Sequence, residues 1–261
     1  MLKFSANLSF LFTELAFIER FSAAKRAGFD SVEYLFPFDY PPEAIEETLR
    51  ECELEQALFN VYAGDWDAGE RGLAALEGRQ SEFKASIEQA AAYADVLGNR
   101  RVHIMSGIAD FNDSKAFKTY VDNIRWAADF LNPLGIKALI EPINSRDMPG
   151  YFLTTPEQAA EVIHQVDRTN VKMQFDIYHA QIMGGDLISR IDRYWSLIDH
   201  IQIASVPERH EPSMGEINYP YLFNWLKAKG YQGFIGCEYR PKKNTLEGLD
   251  WLAVAKGSLN E

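Results

Sequence analysis

Four apolar segments in the second half of the chain, 136–141, 171–176, 198–202 and 234–238, each end in a residue with an oxygen donor: Glu141, Asp176, Gln202 and Glu238. Each segment reads as a short strand. The spacings of 35, 26 and 36 residues between the four polar ends suit successive βα units, since a βαβ crossover needs about 30 residues. If the strands are parallel neighbours, the four side chains gather at one end of the sheet. Oxygen donors gathered in this way suit a hard divalent cation such as Mg²⁺ or Mn²⁺, and such an ion polarises a carbonyl. Two carboxylates flanking a small hydroxy-carbonyl compound can then move a proton, one removing it beside the carbonyl and the other returning it at the neighbouring carbon. That is the chemistry of an isomerase or an epimerase.

The elements that must position these residues alternate from one end of the chain to the other. Strands are expected at 3–7, 31–35, 56–60, 101–105, 137–141, 172–176, 200–204 and 234–238. Helices are expected at 14–27, 42–51, 81–97, 114–134, 155–166, 187–197, 219–229 and 246–256. Gly28, Gly98, Gly135 and Gly230 follow four of these helices at C′ positions, and Thr155-Pro156 reads as an N-cap followed by proline at the first helical position. Strict alternation implies a parallel sheet. Eight repeats without a Pro/Ser/Gly-rich linker, in 261 residues, point to one α/β domain over 1–261, a closed (β/α)8 barrel.

In such barrels the site lies at the C-terminal ends of the strands. The last inward positions there read Asn7, Glu33, Asn60, Met105 (with His103 two residues earlier), Glu141, Asp176, Gln202 and Glu238, seven of the eight polar. Pro142 after Glu141 disfavours helical geometry and holds that strand extended up to its carboxylate. His179 is read on the loop after Asp176, placed either to ligate or to hydrogen-bond a substrate. His200 is read as an interior histidine one layer deeper. Residues 63–72, rich in glycine, tryptophan and charge, resemble a lid over a polar pocket. Arg209, ahead of Arg71 and Arg240, is expected to hold an anionic substrate group at the mouth through paired hydrogen bonds.

Bulk properties narrow the partners. The formal net charge is −12 and no basic run occurs, which disfavours nucleic acid and anionic membranes because both need clustered Lys and Arg. Two cysteines fit a reducing compartment, and no signal peptide or membrane span is read, so the expected location is cytoplasmic. There is no His-Glu-x-x-His, Gly-x-Gly-x-x-Gly, phosphate-binding loop or Gly-x-Ser-x-Gly elbow.

Several motifs carry a resemblance: Phe4-Ser-Ala-Asn-Leu-Ser9, Phe36-Pro-Phe-Asp-Tyr40, Ala63-Gly-Asp-Trp66, Ala68-Gly-Glu-Arg-Gly72, Glu141-Pro-Ile-Asn144, Asp176-Ile-Tyr-His179, Gly215-Glu-Ile-Asn-Tyr219 and Gly236-Cys-Glu-Tyr239. Together they resemble the hydroxypyruvate isomerases of the xylose-isomerase-like barrel superfamily, close to the 2-oxo-tetronate isomerases. The resemblance implies that Glu141 and Glu238 are the proton donor/acceptor pair. It also implies that Glu141, Asp176, Gln202 and Glu238 ligate Mg²⁺ or Mn²⁺, and that His179 and Arg209 contact substrate. Gln202 stands where related epimerases use His. The implied reaction interconverts hydroxypyruvate and tartronate semialdehyde through an enediolate. A 2-oxo-tetronate isomerase, a ketose 3-epimerase and a sugar-acid-binding barrel with a decayed site stay open as alternatives. The partner is then a small anionic hydroxy-carbonyl substrate, and a homo-oligomer is compatible with the sequence.

Overall fold

The computed structural model describes residues 1–257, and its eight strands are all parallel. They are β1 Lys3–Asn7, β2 Ser31–Tyr34, β3 Glu55–Asn60, β4 Arg101–His103, β5 Lys137–Ile140, β6 Val171–Asp176, β7 Ile198–Ile203 and β8 Phe234–Cys237. Each pairs with the next in sequence, and β8 pairs with β1 through Phe4↔Ile235 and Ser5↔Gly236, so the sheet closes. The expected (β/α)8 barrel is the observed fold. Strands β2 and β8 are buried throughout because helices cover their outer face and neighbouring strands fill the inner one, as parallel sheets require.

The outer ring comprises α1 Phe17–Arg26, α2 Pro42–Glu51, α3 Gln80–Val96, α4 Ser114–Leu131, α5 Pro156–Val166, α6 Ile177–Ile182, α7 Leu187–Arg193, α8 Tyr219–Ala228 and α9 Asp250–Lys256. Helix α5 starts as the sequence indicates. Thr155 Oγ1 accepts from Gln158 N while Gln158 Oε1 accepts from Thr155 N, a reciprocal cap of the kind whose loss costs about 1 kcal/mol. Four helices are shorter than expected: α1 starts at Phe17 rather than 14 and α7 ends at Arg193 rather than 197, and α4 and α9 are also cut back. Pro133 tightens the end of α4 into a 3-10 turn at Asn132–Leu134, and the segment at 246–256 breaks into a 3-10 turn, Leu246–Gly248, before α9. The extra element is α6, which begins immediately after β6 where a loop is expected.

Two register shifts lie next to polar strand ends, one between Val32 and Glu33 and one between Met173 and Gln174. Such irregularities bend a strand and re-aim its side chains. Here they precede Glu33 and Asp176. At the opposite, N-terminal end of the strands, Asp199 takes Arg101 Nε at 2.6 Å and also pairs with Lys137. That charge cluster ties β4, β5 and β7 together away from the site.

Candidate active site

Asp176 ends β6 and caps α6. One carboxylate oxygen, Oδ1, accepts from Tyr178 N at 2.7 Å and His179 N at 3.3 Å. The other, Oδ2, is buried and has no hydrogen-bond partner. The cap turns the chain so that His179, on the first turn of the helix rather than on a loop, points back over the strand ends. Its Nε2 lies 3.7 Å from Asp176 Oδ2 and 4.0 Å from Glu141 Oε1.

The tautomer of His179 follows from its neighbour. Asn144 Oδ1 accepts from Arg146 N and Asp147 N, which turns the amide nitrogen of Asn144 toward His179 Nδ1 at 2.6 Å. Nδ1 therefore accepts and Nε2 carries the hydrogen. Burial first, then the charge of Arg209 and the proximity of His103, holds the His179 pKa well below the usual imidazole range. The ring is neutral and presents an N–H donor to the space between Glu141 and Asp176.

Glu141 directly follows β5 and is buried, with Oε1 lacking a partner. Oε2 faces His103 Nε2 at 3.5 Å, and His103 Nδ1 in turn lies 3.2 Å from Asn60 Oδ1. Burial lowers the His103 pKa to about 3, so this imidazole is neutral too. Burial, then the neighbouring charges of Glu238 and Asp176, push the Glu141 carboxyl well above the usual carboxylate range, against the opposing pull of Arg209.

Glu238 directly follows β8 and meets Arg209 Nη2 at 2.6 Å. The Arg209 guanidinium also lies 3.7 Å from Asp147 and 4.0 Å from Asp176. The rings of Tyr178 and Phe10 flank it at 4.9 and 5.1 Å. Burial raises the Glu238 pKa to about 8, with Arg209 restraining the rise and Asp176 and Glu33 adding to it. Burial likewise raises Asp176 to about 6, against the lowering effect of Arg209 and its two capped N–H groups.

Gln202 ends up beneath these carboxyls. Its Nε2 donates to Glu238 Oε2 and to Glu33 Oε1, both at 2.8 Å, and its Oε1 accepts from Gln174 Nε2 at 2.6 Å. Asn7 Nδ2 makes the same bridge, 2.9 Å to Glu238 Oε2 and 3.3 Å to Glu33 Oε1. Glu33 thus forms a lower tier, with His200 Nε2 2.9 Å away, placing that histidine in the interior as expected. The sequence marks Glu33 as a polar strand end but gives no clue that two amides would join it to Glu238.

Above these groups opens a cavity of about 500 Å³, walled in part by Glu141, His179, Glu238, Arg209, Trp66 and Arg71. The glycine-rich loop at 63–72 therefore does border the site. Donor atoms of Glu141, Asp176 and His179 lie within 4.8 Å of one another. The partnerless Glu141 Oε1 and Asp176 Oδ2 are what a divalent cation would satisfy. The arrangement can hold such a cation, exchange a proton through either of two carboxyls with elevated pKa values, and donate a hydrogen bond from a neutral imidazole.

Known proteins resemble this chain over nearly its whole length. The family described as Xylose isomerase-like TIM barrel matches residues 21–254. The chain is 49% identical over 254 residues to a 2-oxo-tetronate isomerase of Cupriavidus necator, covering 97% of this chain and 98% of that protein. It is 45% identical over 254 residues to hydroxypyruvate isomerase of Escherichia coli, with the same coverage of both. A solved structure from Brucella melitensis, described as an AP endonuclease of family 2, superposes with a TM-score of 0.95 at 49% identity. It covers 97% of this chain and 99% of that one.

Proposed function

Because this chain belongs to the xylose isomerase-like TIM barrel family and is an isomerase, we propose that its substrate is a small 3-hydroxy-2-oxo acid. The product is the 2-hydroxy-3-oxo acid, so hydroxypyruvate would be interconverted with tartronate semialdehyde. The observation that carries this reading is the pair Glu141 and Glu238. Both are buried and both border one cavity; burial pushes the Glu141 carboxyl well above the usual carboxylate range and raises Glu238 to about 8. A carboxyl poised in that range can both take and return a carbon-bound proton at neutral pH.

In the forward direction one of the two carboxylates removes a proton from C3, beside the C2 carbonyl. The electron pair left behind forms the C2–C3 double bond of an enediolate. The other carboxyl then delivers a proton to C2 while the O3 hydroxyl proton passes to O2, so that C3 becomes the new carbonyl and C2 carries the hydroxyl. His179 Nε2–H donates to the substrate oxygen on which negative charge builds up, a role that its fixed tautomer allows and metal ligation through Nε2 would not. Arg209 keeps Glu238 oriented and touches the oxygen nearest to it.

Glu141 and Asp176 each keep one carboxylate oxygen free for a divalent ion. Glu141, Asp176, Gln202 and Glu238 would hold Mg²⁺ or Mn²⁺, for which Gln202 must present the amide oxygen that now accepts from Gln174. A bound ion polarises the substrate carbonyl and stabilises the enediolate charge.

A second reading, a four-carbon 2-oxo-tetronate as substrate, is favoured by the 49% identity to the Cupriavidus necator protein. The cavity of about 500 Å³ has room for the additional carbon. The alternative of a decayed sugar-acid-binding barrel loses its basis, since both carboxyls are in place and the named relatives are isomerases. Among the described residues no helix is long and apolar enough to cross a membrane. Both cysteines are free, in keeping with activity in the cytoplasm.

The test is turnover by purified protein of hydroxypyruvate, 2-oxo-tetronate and a neutral ketose, with added Mg²⁺ or Mn²⁺ and with EDTA. The reading predicts isomerisation of one or both oxo acids that EDTA abolishes. Undiminished turnover in EDTA, or a preference for the neutral ketose, would overturn it.

A further inference from the structure

Resting on the reading of an anionic substrate, we propose that Arg71 binds the substrate carboxylate and so selects oxo acids over neutral sugars. Three guanidinium groups border the cavity, those of Arg71, Arg209 and Arg240. Arg209 has no charge to spare: it sits within 4.0 Å of Glu238, Asp147 and Asp176. With the carboxyl groups of Asp147, Asp176 and Glu238 around it, Arg209 leaves no free cation at the inner end of the cavity. A carboxylate entering that end would meet its own kind. The substrate must therefore enter with its hydroxy-carbonyl end inward and its carboxylate toward the rim.

Arg71 waits there in a fixed pose. Its guanidinium lies 3.9 Å from the centre of the Trp66 ring, and Trp66 packs edge-on against Phe36. Nη1 donates to Trp66 O and Glu70 O at 2.8 and 2.7 Å, while Nε and Nη2 have no partner among the described residues. Arg71 also makes no ion pair among those residues. Its neighbour Glu70 does not neutralise it, because that carboxylate is taken by Arg79 at 2.6 Å and by Asp65 N at 2.7 Å.

The loop that carries Arg71 is rigidly seated. Gly72 has φ 121 and bonds its N to Ala63 O, and a Cβ there would fall 2.3 Å from Met105 O. A guanidinium already ordered by a ring and two carbonyls loses little freedom when it binds, and its remaining fork matches a carboxylate. Arg240 has neither restraint: it is exposed, and among the described residues only its backbone is engaged, through Arg209 O and His210.

The test compares hydroxypyruvate with dihydroxyacetone, which replaces the carboxylate by a neutral hydroxymethyl group, on metal-loaded wild-type, Arg71→Ala, Arg71→Lys and Arg240→Ala proteins. Arg71→Ala should raise KM for hydroxypyruvate about 10- to 100-fold, the worth of a charge-assisted pair of hydrogen bonds. It should leave kcat/KM for dihydroxyacetone within about threefold. Arg71→Lys should recover part of the loss, and Arg240→Ala should change neither substrate. An equal loss for both substrates in Arg71→Ala would assign Arg71 to loop structure and overturn the proposal, as would an unchanged KM for hydroxypyruvate. If wild-type protein itself does not favour hydroxypyruvate over dihydroxyacetone, the anionic-substrate reading fails, and this proposal with it.

Discussion

Gly236→Ala probes the tier beneath the catalytic pair without touching either glutamate. Gly236 lies in β8 two residues before Glu238, and a Cβ there would stand 2.3 Å from Glu33 Oε1, 2.5 Å from Oε2 and 2.6 Å from Cδ. Ordinary contact begins near 3.4 Å, so the Glu33 carboxyl would have to retreat by about 1 Å. It is fully buried and held by Asn7 and Gln202, so retreat means breaking those bonds or shifting β8. Overpacking of this kind costs about 1–3 kcal/mol, or roughly 2–10 °C in melting temperature for a chain of this size. Asn7 and Gln202 also hold Glu238, so the disturbance reaches the reacting group, and misplacement by about 1 Å can cost on the order of 10²-fold in rate. Thermal unfolding, and kcat at matched metal content, read out the two effects. In a Glu33→Ala background the same substitution should cost less, with a coupling of about 0.5–3 kcal/mol. Wild-type melting and full kcat in Gly236→Ala would mean that Glu33 moves freely and that the tier does not hold Glu238.

Metal-free protein should lose stability as pH rises across neutrality. Glu238 has a folded pKa of about 8 and Asp176 one of about 6, both above their ordinary values; the folded state therefore binds more protons than the unfolded one from about pH 4 up to those values. Melting temperatures in EDTA should fall from pH 5.5 to 8.5 relative to those in Mn²⁺, which displaces these protons; parallel profiles would contradict the assignment. Arg209→Ala should impair hydroxypyruvate and dihydroxyacetone alike, and should move the acidic limb of the kcat/KM profile to higher pH because Arg209 holds the Glu238 pKa down; a limb that stays put would remove Arg209 from control of Glu238.

The barrel was legible because its signals are local. Apolar runs, glycines after helices and the Thr155 cap each depend on a few adjacent residues, and eight such units admit few other closures. Strand ends were legible as a polar set for the same reason. The start of α6 is also written locally, since Asp176 caps the stretch that follows it, but the same carboxylate fits a ligand equally well and its type alone does not separate the two roles. What could not be read is contact across the barrel. The bridges from Asn7 and Gln202 to Glu33 and Glu238 span up to 231 residues, and nothing in the spacing of an asparagine and a glutamate specifies a shared partner. The tautomer of His179 is of the same kind: it depends on the backbone turn at Asn144, 35 residues away. Arg209 was legible as a cation at the mouth, but its capture by Glu238 was not.

The central claim is that Glu141 and Glu238 carry the proton, and the most direct measurement follows hydroxypyruvate by NMR in D₂O with metal-loaded wild-type, Glu141→Gln and Glu238→Gln proteins, metal content being determined in the same samples. Wild-type protein should form tartronate semialdehyde and wash deuterium into C3 of the remaining substrate. Each variant should turn over at least about 10²-fold more slowly, the usual worth of a general acid or base. The variant lacking the first base should incorporate no deuterium, while the one lacking only the reprotonating acid should still exchange at C3. Near-wild-type turnover in either metal-loaded variant would contradict the two-glutamate account.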